Sequence, residues 1–366
     1  YRRQRQMCIR DRYHEAIIEG ERKGRMGILK QGDCADVQRV GVPRALLYYR
    51  YGTLWTTFFE ALGCDVVLSD PTDRSTVAHG DALSNDECCL ASKVFIGHVE
   101  SLAGRCDAVF VPCYPTSDHR SGFCTKFQSA TDMVRNTFRD DKLRVISCEV
   151  QNARKAKDVR RAFCDMAARM GVAPKDARAA FKAAWDAQRA HDEALATAQE
   201  RTLRRLVDER RAADAAAAAG DDAVARPLGI LVVAHPYISH DPYLSGAVID
   251  SLEEMGATVV YADAMDHERA YKKSFEFSGT MPWLINCELI GSILLAQDDI
   301  DGIVLISAFP CGPDSMTDDA IMRCIQGTPI LNLMIDAQSG TAGVETRVES
   351  FVDILRFQQK GGYVHE

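Results

Sequence analysis

The stretch LGILVVA, at residues 228–234, is an unbroken apolar run that is followed at once by His235 and Pro236. An apolar run of this length, without polar alternation, is typical of a strand buried on both faces of a parallel sheet. Strands that alternate with helices predict an α/β domain with such a sheet. Further strands are predicted at 258–261, 302–306 and 329–335, and helices around 244–255, 320–325 and 346–357.

The same alternation occurs earlier in the chain. Leu54, Phe58 and Leu62 repeat at helical spacing between two short apolar runs. We therefore expect two α/β domains, at residues 37–150 and 227–366. The strands predicted for the first domain are 40–42, 65–68, 108–111 and 143–148.

The segment at 151–226 separates the two predicted domains. Residues 175–219 are rich in Ala, Arg, Glu and Gln, which favour helix, so one or two long helices are expected there. A basic, alanine-rich helix can bind a partner, but a solvated connector that packs across the domains is the favoured interpretation. Residues 1–36 are expected to be a leader, partly artefactual or disordered, because YRRQRQMCIRDR at 1–12 resembles translated adapter sequence.

Length and composition limit the class of protein. A chain of 366 residues is long enough for about two domains. Its formal net charge is -8 and it has no basic stripe with interleaved aromatic residues, which argues against a nucleic-acid partner. Its longest apolar runs are far shorter than the ~20 residues that cross a bilayer, so no association with a membrane is predicted.

The 13 cysteines are an odd number and do not form the dense framework of a small secreted module. Because no signal peptide precedes them, they predict a reducing, cytoplasmic location. The sequence contains no Cys-x-x-Cys pair, no phosphate-binding glycine loop and no G-x-S-x-G motif. Zinc ribbons, nucleotide hydrolysis and serine hydrolysis are therefore disfavoured, and metal ligands would come singly from distant loops.

Cys113 and Cys311 each follow a predicted strand, within the similar phrases PCYPTS (112–117) and PCGPDS (310–315). In open parallel sheets, ligands bind outside the carboxyl ends of the strands. Cys311 is the stronger candidate because prolines lie close on both sides and Asp314-Ser315 is expected to cap the following helix, whose amide dipoles favour a thiolate or an anion. A buried thiol in a tight turn is the alternative.

Cys89 and Cys124 are each predicted to start a helix, with Lys93 and Lys126 close by in sequence. Both features lower the pKa of a thiol and favour metal ligation. The remaining cysteines have no such context and are assigned to the core or the surface. These are Cys8, Cys34, Cys64, Cys106, Cys148, Cys164, Cys287 and Cys324.

Two histidines and two arginines complete the candidate residues. His235 follows a predicted strand and either reaches the same crevice or is structural, whereas His98 is expected to be a core or interface histidine. Arg44 and Arg347, together with the two lysines, are expected to place positive charge beside the cysteine loops. Ordinary surface pairing is the alternative for these four cations.

Several phrases resemble the acyl-CoA dehydratase activase-related proteins, which are similar to the small subunit of 2-hydroxyacyl-CoA dehydratases. The resemblance extends from about Val40 to Phe357, and its most specific phrases are FPCGPDS and TRVESFVDIL. The phrases that carry it are VGVPRALLYY (40–49), DECCLASK (86–93) with His98, CTKF (124–127), HPY (235–237), FPCGPDS (309–315) and TRVESFVDIL (346–355).

The resemblance implies two Rossmann-like or flavodoxin-like domains with an iron-sulfur cluster, of the 4Fe-4S type, at their interface. Its ligands would be Cys89, Cys124 and Cys311, with Cys88 and Cys113 as additional candidate ligands. Two prolines usual in the family are replaced by Ala91 and Thr125, which makes both loops less rigid.

The resemblance also implies a function. We expect low-potential electron transfer, or radical dehydration or reduction of an acyl-CoA, with a separate ATP-dependent activase under anaerobic conditions. This leaves open whether the chain is itself a lyase or reductase, and whether it forms a homodimer or a heterodimer. The alternatives are a non-catalytic partner or scaffold of an activase-dehydratase system, and a two-lobed small-ligand-binding protein.

Overall fold

A computed structural model describes residues 34–116, 118, 120–139, 143–221, 225–337 and 341–359. The predicted leader lies almost wholly outside these residues. The chain divides into two compact units. Unit 1 contains the described residues up to Asp192 together with Thr280–Leu284, and unit 2 contains Glu193–Gly279 and the described residues from Ile285 onward.

Unit 1 contains a four-stranded parallel sheet with strand order β2-β1-β3-β4. Its central strand pairs on both sides, with Val40 opposite Val66 and Ala108. The strand order reverses between β1 and β3, which is the position where open α/β sheets bind ligands. The strands are β1 (Arg39–Val42), β2 (Asp65–Leu68), β3 (Ala108–Phe110) and β4 (Val145–Ile146).

Helices cover this sheet, and aromatic side chains fill the space between the layers. Phe58 and Phe163 are 5.0 Å apart between ring centroids, as are Phe59 and Phe110. All four rings are essentially inaccessible to solvent, and burying each contributes roughly 1.5–3 kcal/mol. The helices are α1 (Tyr48–Ala61), α2 (Arg74–Leu83), α3 (Leu90–Ser101), α4 (Thr125–Gln128), α5 (Ala130–Thr137) and α6 (Ala156–Arg169).

Helix α7 (Pro174–Ala218) is a single helix of 45 residues, the simpler of the two forms expected for the connector. Its first part belongs to unit 1, where Gln188 accepts a hydrogen bond from the Leu54 amide. Its second part belongs to unit 2, where Gln199 accepts one from the Tyr261 amide. Arg210, also buried, is paired with Asp301. Each part of the helix is therefore fixed to its own unit by buried polar side chains.

Unit 2 contains a second four-stranded parallel sheet, with strand order β6-β5-β7-β8. Every residue of the two central strands is buried, as the unbroken apolar runs predicted. This order also reverses between its two central strands. The strands are β5 (Leu228–Ala234), β6 (Ala257–Tyr261), β7 (Gly302–Ala308) and β8 (Ile330–Ile335).

The helices of unit 2 follow its strands in alternation. Both sheets are fully parallel among the described residues, so the predicted fold class, two parallel-sheet α/β domains with a long helix, is confirmed. No helix in the described ranges has the length and hydropathy needed to cross a membrane. The helices are α8 (Pro236–Ser239), α9 (Pro242–Glu254), α10 (His267–Lys273), α11 (Leu284–Ala296), α12 (Gly312–Cys324) and α13 (Thr341–Gln359).

Candidate functional site

Cys311 lies at the start of α12, just past the carboxyl end of β7. It is the N-cap residue of that helix, with extended backbone (φ -78°, ψ 112°), and its side chain is only partly buried. The expected capping pair was Asp314-Ser315, but the Asp314 carboxylate is buried in unit 2 and accepts a hydrogen bond from the Cys311 thiol. The Ser315 amide and hydroxyl both donate to the Cys311 carbonyl oxygen, at 3.0 and 2.7 Å.

Behind Cys311, Asp314 and His235 form a buried pair with 2.9 Å between Oδ1 and Nε2. His235 follows β5 directly, so the neighbouring carboxyl ends of β5 and β7 bring the two residues together. Burial raises the pKa of Asp314, but the charge of His235 and several hydrogen bonds outweigh it, so the net shift is downward. Burial likewise lowers the pKa of His235, and the Asp314 carboxylate reverses that shift. Both shifts favour an imidazolium facing a carboxylate.

Cys89 and Cys124 start helices α3 and α4 of unit 1, as predicted. Their backbones are nearly the same, with φ -64° and ψ 153° at Cys89 and φ -65° and ψ 163° at Cys124. Both side chains are partly buried, and neither makes a side-chain capping bond to its helix. The first amides of both helices therefore lie next to a thiol, where their dipoles favour the thiolate.

One contact brings these two loops of unit 1 into the same neighbourhood. Lys126 Nζ donates to Cys88 Sγ at 3.2 Å, and Lys126 lies two residues after Cys124. Because Cys88 precedes Cys89, this contact joins the start of α4 to the start of α3. The prediction of a cation beside a cysteine loop thus holds for Lys126. Lys93 instead forms an ion pair with Asp81 at 2.6 Å. For this residue the structure shows the alternative interpretation, an ordinary ion pair with a nearby carboxylate.

The two additional candidate thiols also have partners within unit 1. Cys88 is 8% exposed and contacts Lys126, whereas Cys113 follows β3 and contacts the Thr131 hydroxyl at 3.0 Å. Thr131 in turn donates to the Val111 carbonyl, so Cys113 is held against the end of its own strand.

Three of the cysteines assigned to core or surface lie in surroundings that disfavour a thiolate. Burial raises the pKa of Cys106, Cys148 and Cys164, which disfavours their thiolates. Cys64 and Cys287 are also buried. Cys324, at the last residue of α12, is exposed, and Cys8 lies outside the described residues.

The three predicted ligands are divided between the units, with two in unit 1 and Cys311 in unit 2. Within the described ranges, no group of three or more His, Cys, Asp or Glu side chains is gathered closely enough to hold a metal ion. The ligand set Cys89, Cys124 and Cys311 stays a prediction.

Sequence reasoning missed the partners of His235. Asn286, in the first turn of α11, donates to Asp314 Oδ1 at 2.9 Å and to Thr317 Oγ1 at 3.0 Å. Asn286 and Thr317 belong to no motif, whereas Asp314 is part of the phrase FPCGPDS (309–315). His235 and Asp314 each follow a predicted strand, and this position could have predicted their contact. The prediction requires knowing that these two strands are neighbours in the sheet.

Two parallel-sheet units, each with cysteine side chains at helix starts, define an α/β protein with candidate sites at the carboxyl edges of its sheets. Residues 39–265, more than half of the chain, match the family described as CoA enzyme activase uncharacterised domain (DUF2229), and the chain belongs to this family. The matched range contains Cys89, Cys124 and His235 but ends before Cys311. No curated protein matches the chain.

Proposed function

We propose that the chain is an iron-sulfur protein that acts with a CoA-enzyme activase. Its reaction is low-potential electron transfer, or the radical dehydration or reduction of an acyl-CoA, with electrons from a separate ATP-dependent activase. Membership of the CoA enzyme activase family supports the association with such a system. The observation that carries the proposal is the common geometry of Cys89, Cys124 and Cys311.

Each of these three thiols is at the N-cap of a helix, on extended backbone and partly exposed. This combination suits a thiolate ligand, because helix dipoles stabilise the anion while exposure leaves the sulfur accessible. A 4Fe-4S cluster bound by three cysteines supplies one-electron chemistry and retains one iron for another ligand. Thiolate donors fit such a cluster.

Charged neighbours supply the remaining support. Lys126 places a cation at the Cys88–Cys89 loop, where it offsets the negative charge of thiolates. In unit 2, the Cys311 thiol hydrogen-bonds to Asp314, whose charge is already balanced by His235. Loss of the Cys311 proton on ligation therefore leaves the Asp314 carboxylate paired with His235.

The test is the iron and sulfide content, with EPR spectra, of anaerobically purified protein. Single Cys→Ala changes at 89, 124 and 311 are each expected to abolish the cluster signal. Cys324→Ala is the matched control for Cys311→Ala, because these residues are at opposite ends of α12. Full iron content in Cys311→Ala would contradict the assignment.

Two further measurements refine the proposal. Iron content in Cys88→Ala and Cys113→Ala decides whether either thiol is an additional ligand. Turnover of an acyl-CoA in the presence of an activase and ATP distinguishes a catalytic component from a non-catalytic partner that holds a cluster.

A further inference from the structure

A small cavity lies inside unit 2, between the carboxyl ends of β5 and β7 and the first turns of α11 and α12. Its polar wall consists of His235, Asn286, Asp314, Thr317 and Asp318, and the rest is aliphatic. Its volume of about 10 Å³ accommodates one water-sized molecule. The cavity therefore selects a very small polar ligand.

Two polar atoms of this wall have no hydrogen-bond partner within the described part of the chain. They are His235 Nδ1 and Asn286 Oδ1. His235 is 5% exposed and Asn286 is 3% exposed, so bulk water does not hydrate them. Leaving a buried polar group without a hydrogen bond is destabilising, which favours a ligand that pairs with both atoms.

The hydrogen-bonding roles of the two atoms specify the chemistry of that ligand. His235 Nε2 donates to the Asp314 carboxylate, whose charge raises the pKa of His235 and so favours the imidazolium, in which Nδ1 is also a donor. Asn286 uses its amide nitrogen to donate to Asp314 and Thr317, so its Oδ1 is an acceptor. The ligand must accept one hydrogen bond and donate another. Water does both, whereas ammonium only donates and chloride only accepts.

Asp318 is a second group of the cavity wall that can exchange a proton. Burial and the nearby Asp314 charge raise its pKa to about 7, and the Ser307 hydroxyl hydrogen-bonds to it. The other charged or titratable groups near the cavity are held by separate contacts. Cys311 hydrogen-bonds to Asp314, and Asp263, which acts on His235 through its charge, pairs with His240 at 2.7 Å.

We propose that this cavity binds one water molecule, which carries a proton between His235 and Asp318. The Nδ1–H bond of His235 breaks as its proton passes to the water oxygen. One O–H bond of the water breaks at the same time, and that proton forms the O–H bond of the Asp318 carboxylic acid. The water is regenerated, no electrons are exchanged, and the reverse step restores the imidazolium. The relay does not depend on the iron-sulfur proposal.

The relay is tested by NMR of the full chain with ¹⁵N-labelled histidine. The chain has nine histidines, and the His235 ring signals are identified by their loss in His235→Gln. In the wild type, we expect a His235 Nδ1–H signal that exchanges with solvent. Asp318→Asn keeps the side-chain volume but removes the carboxylate, so this exchange should be lost.

Asp319→Asn is the matched control, because Asp319 is the next residue of α12 and pairs with Arg323 on the helix surface. It should leave the exchange of His235 unchanged. Equal exchange in wild type and Asp318→Asn would overturn the relay.

The bound water is tested separately by a high-resolution crystal structure of the wild-type chain. One ordered water within hydrogen-bond distance of both His235 Nδ1 and Asn286 Oδ1 is expected. The same peak should be absent from Asn286→Leu, which removes the acceptor and fills the space. A wild-type cavity without that peak would overturn the water site.

Discussion

The two units share a strand order and an all-parallel pairing. They differ in a buried histidine, whose pKa is lowered in unit 1 and raised in unit 2. In unit 1, His98 contacts the Thr72 hydroxyl at 2.9 Å, and burial together with the charge of Arg44 lowers its pKa to about 4. In unit 2, the carboxylate of Asp314 raises the pKa of His235 despite its burial. The same topology therefore lowers the pKa of a buried histidine in one unit and raises it in the other, according to the partner.

Among the changes that test this difference between the units, breaking the His235–Asp314 pair should lower the free energy of unfolding the most. Asp314→Asn removes the counter-charge of the buried His235 side chain, and loss of one partner of a buried ion pair typically costs about 3–5 kcal/mol. Urea denaturation at neutral pH measures the change. The control is Asp319→Asn, which removes an exposed pair and should cost at most about 1 kcal/mol. Equal losses of unfolding free energy in the two variants would show that the buried pair contributes no more to stability than the exposed one.

The pH dependence of unit 2 should be dominated by Asp318. Its pKa is about 7 in the folded chain, compared with 3.8 for an unperturbed aspartate side chain. The folded state therefore binds this proton more tightly, and stability falls as the pH rises from about 4 through 7. One pKa unit is about 1.4 kcal/mol, so the loss reaches at most about 4 kcal/mol and is reduced by partial exposure.

Asp318→Asn should remove that pH dependence, and Asp319→Asn should retain it. Denaturation midpoints across pH 4–8 make the comparison. If the curve of Asp318→Asn follows that of the wild type, Asp318 is not the titrating group.

Much of the fold could be predicted from the sequence because its strands are uninterrupted apolar runs. The predicted bounds of 65–68 and 228–234 are those observed. The strand predicted at 143–148 is only Val145–Ile146, because this edge strand pairs on one side and its pairing continues as an isolated bridge between Cys113 and Glu149.

The candidate site could be predicted from the sequence only in part. The helix-start positions of Cys89, Cys124 and Cys311 follow from local sequence, because a strand or loop precedes a helical period at each. The cluster of His235, Asn286 and Asp314 depends on strand order instead. His235 and Asp314 are 79 residues apart in sequence, and only the pairing of β5 with β7 brings them together.

Unit 1 should respond to pH in the opposite direction from unit 2. The pKa of His98 is about 4 in the folded chain, compared with 6.5 for an unperturbed imidazole, so the unfolded chain binds this proton more tightly. Stability is retained above about pH 6.5 and is lost as the pH falls toward 4, by up to about 3 kcal/mol.

His98→Gln should flatten this acid loss, although its replacement in the core lowers stability at neutral pH. The control is His79→Gln, because His79 lies on the surface of the same unit beside Glu100. A persistent acid loss in His98→Gln, measured by denaturation between pH 4 and 7, would assign it to another group.

The smallest expected effect concerns glycines at helix crossings, which both units use. A Cβ added at Gly97 of α3 would lie much too close to the Thr76 carbonyl oxygen of α2, and one at Gly291 of α11 would meet the Ala270 carbonyl oxygen of α10. Alanine normally stabilises a helix by about 1 kcal/mol relative to glycine, but overpacking costs about 1–3 kcal/mol. Since backbone atoms are the obstacle, Gly97→Ala should lower stability by about 1–2 kcal/mol.

Gly343 of α13 has open space around its Cβ position, so Gly343→Ala should raise stability. Thermal unfolding of both variants measures the two signs, and a stabilised Gly97→Ala would show that α2 and α3 can separate without cost.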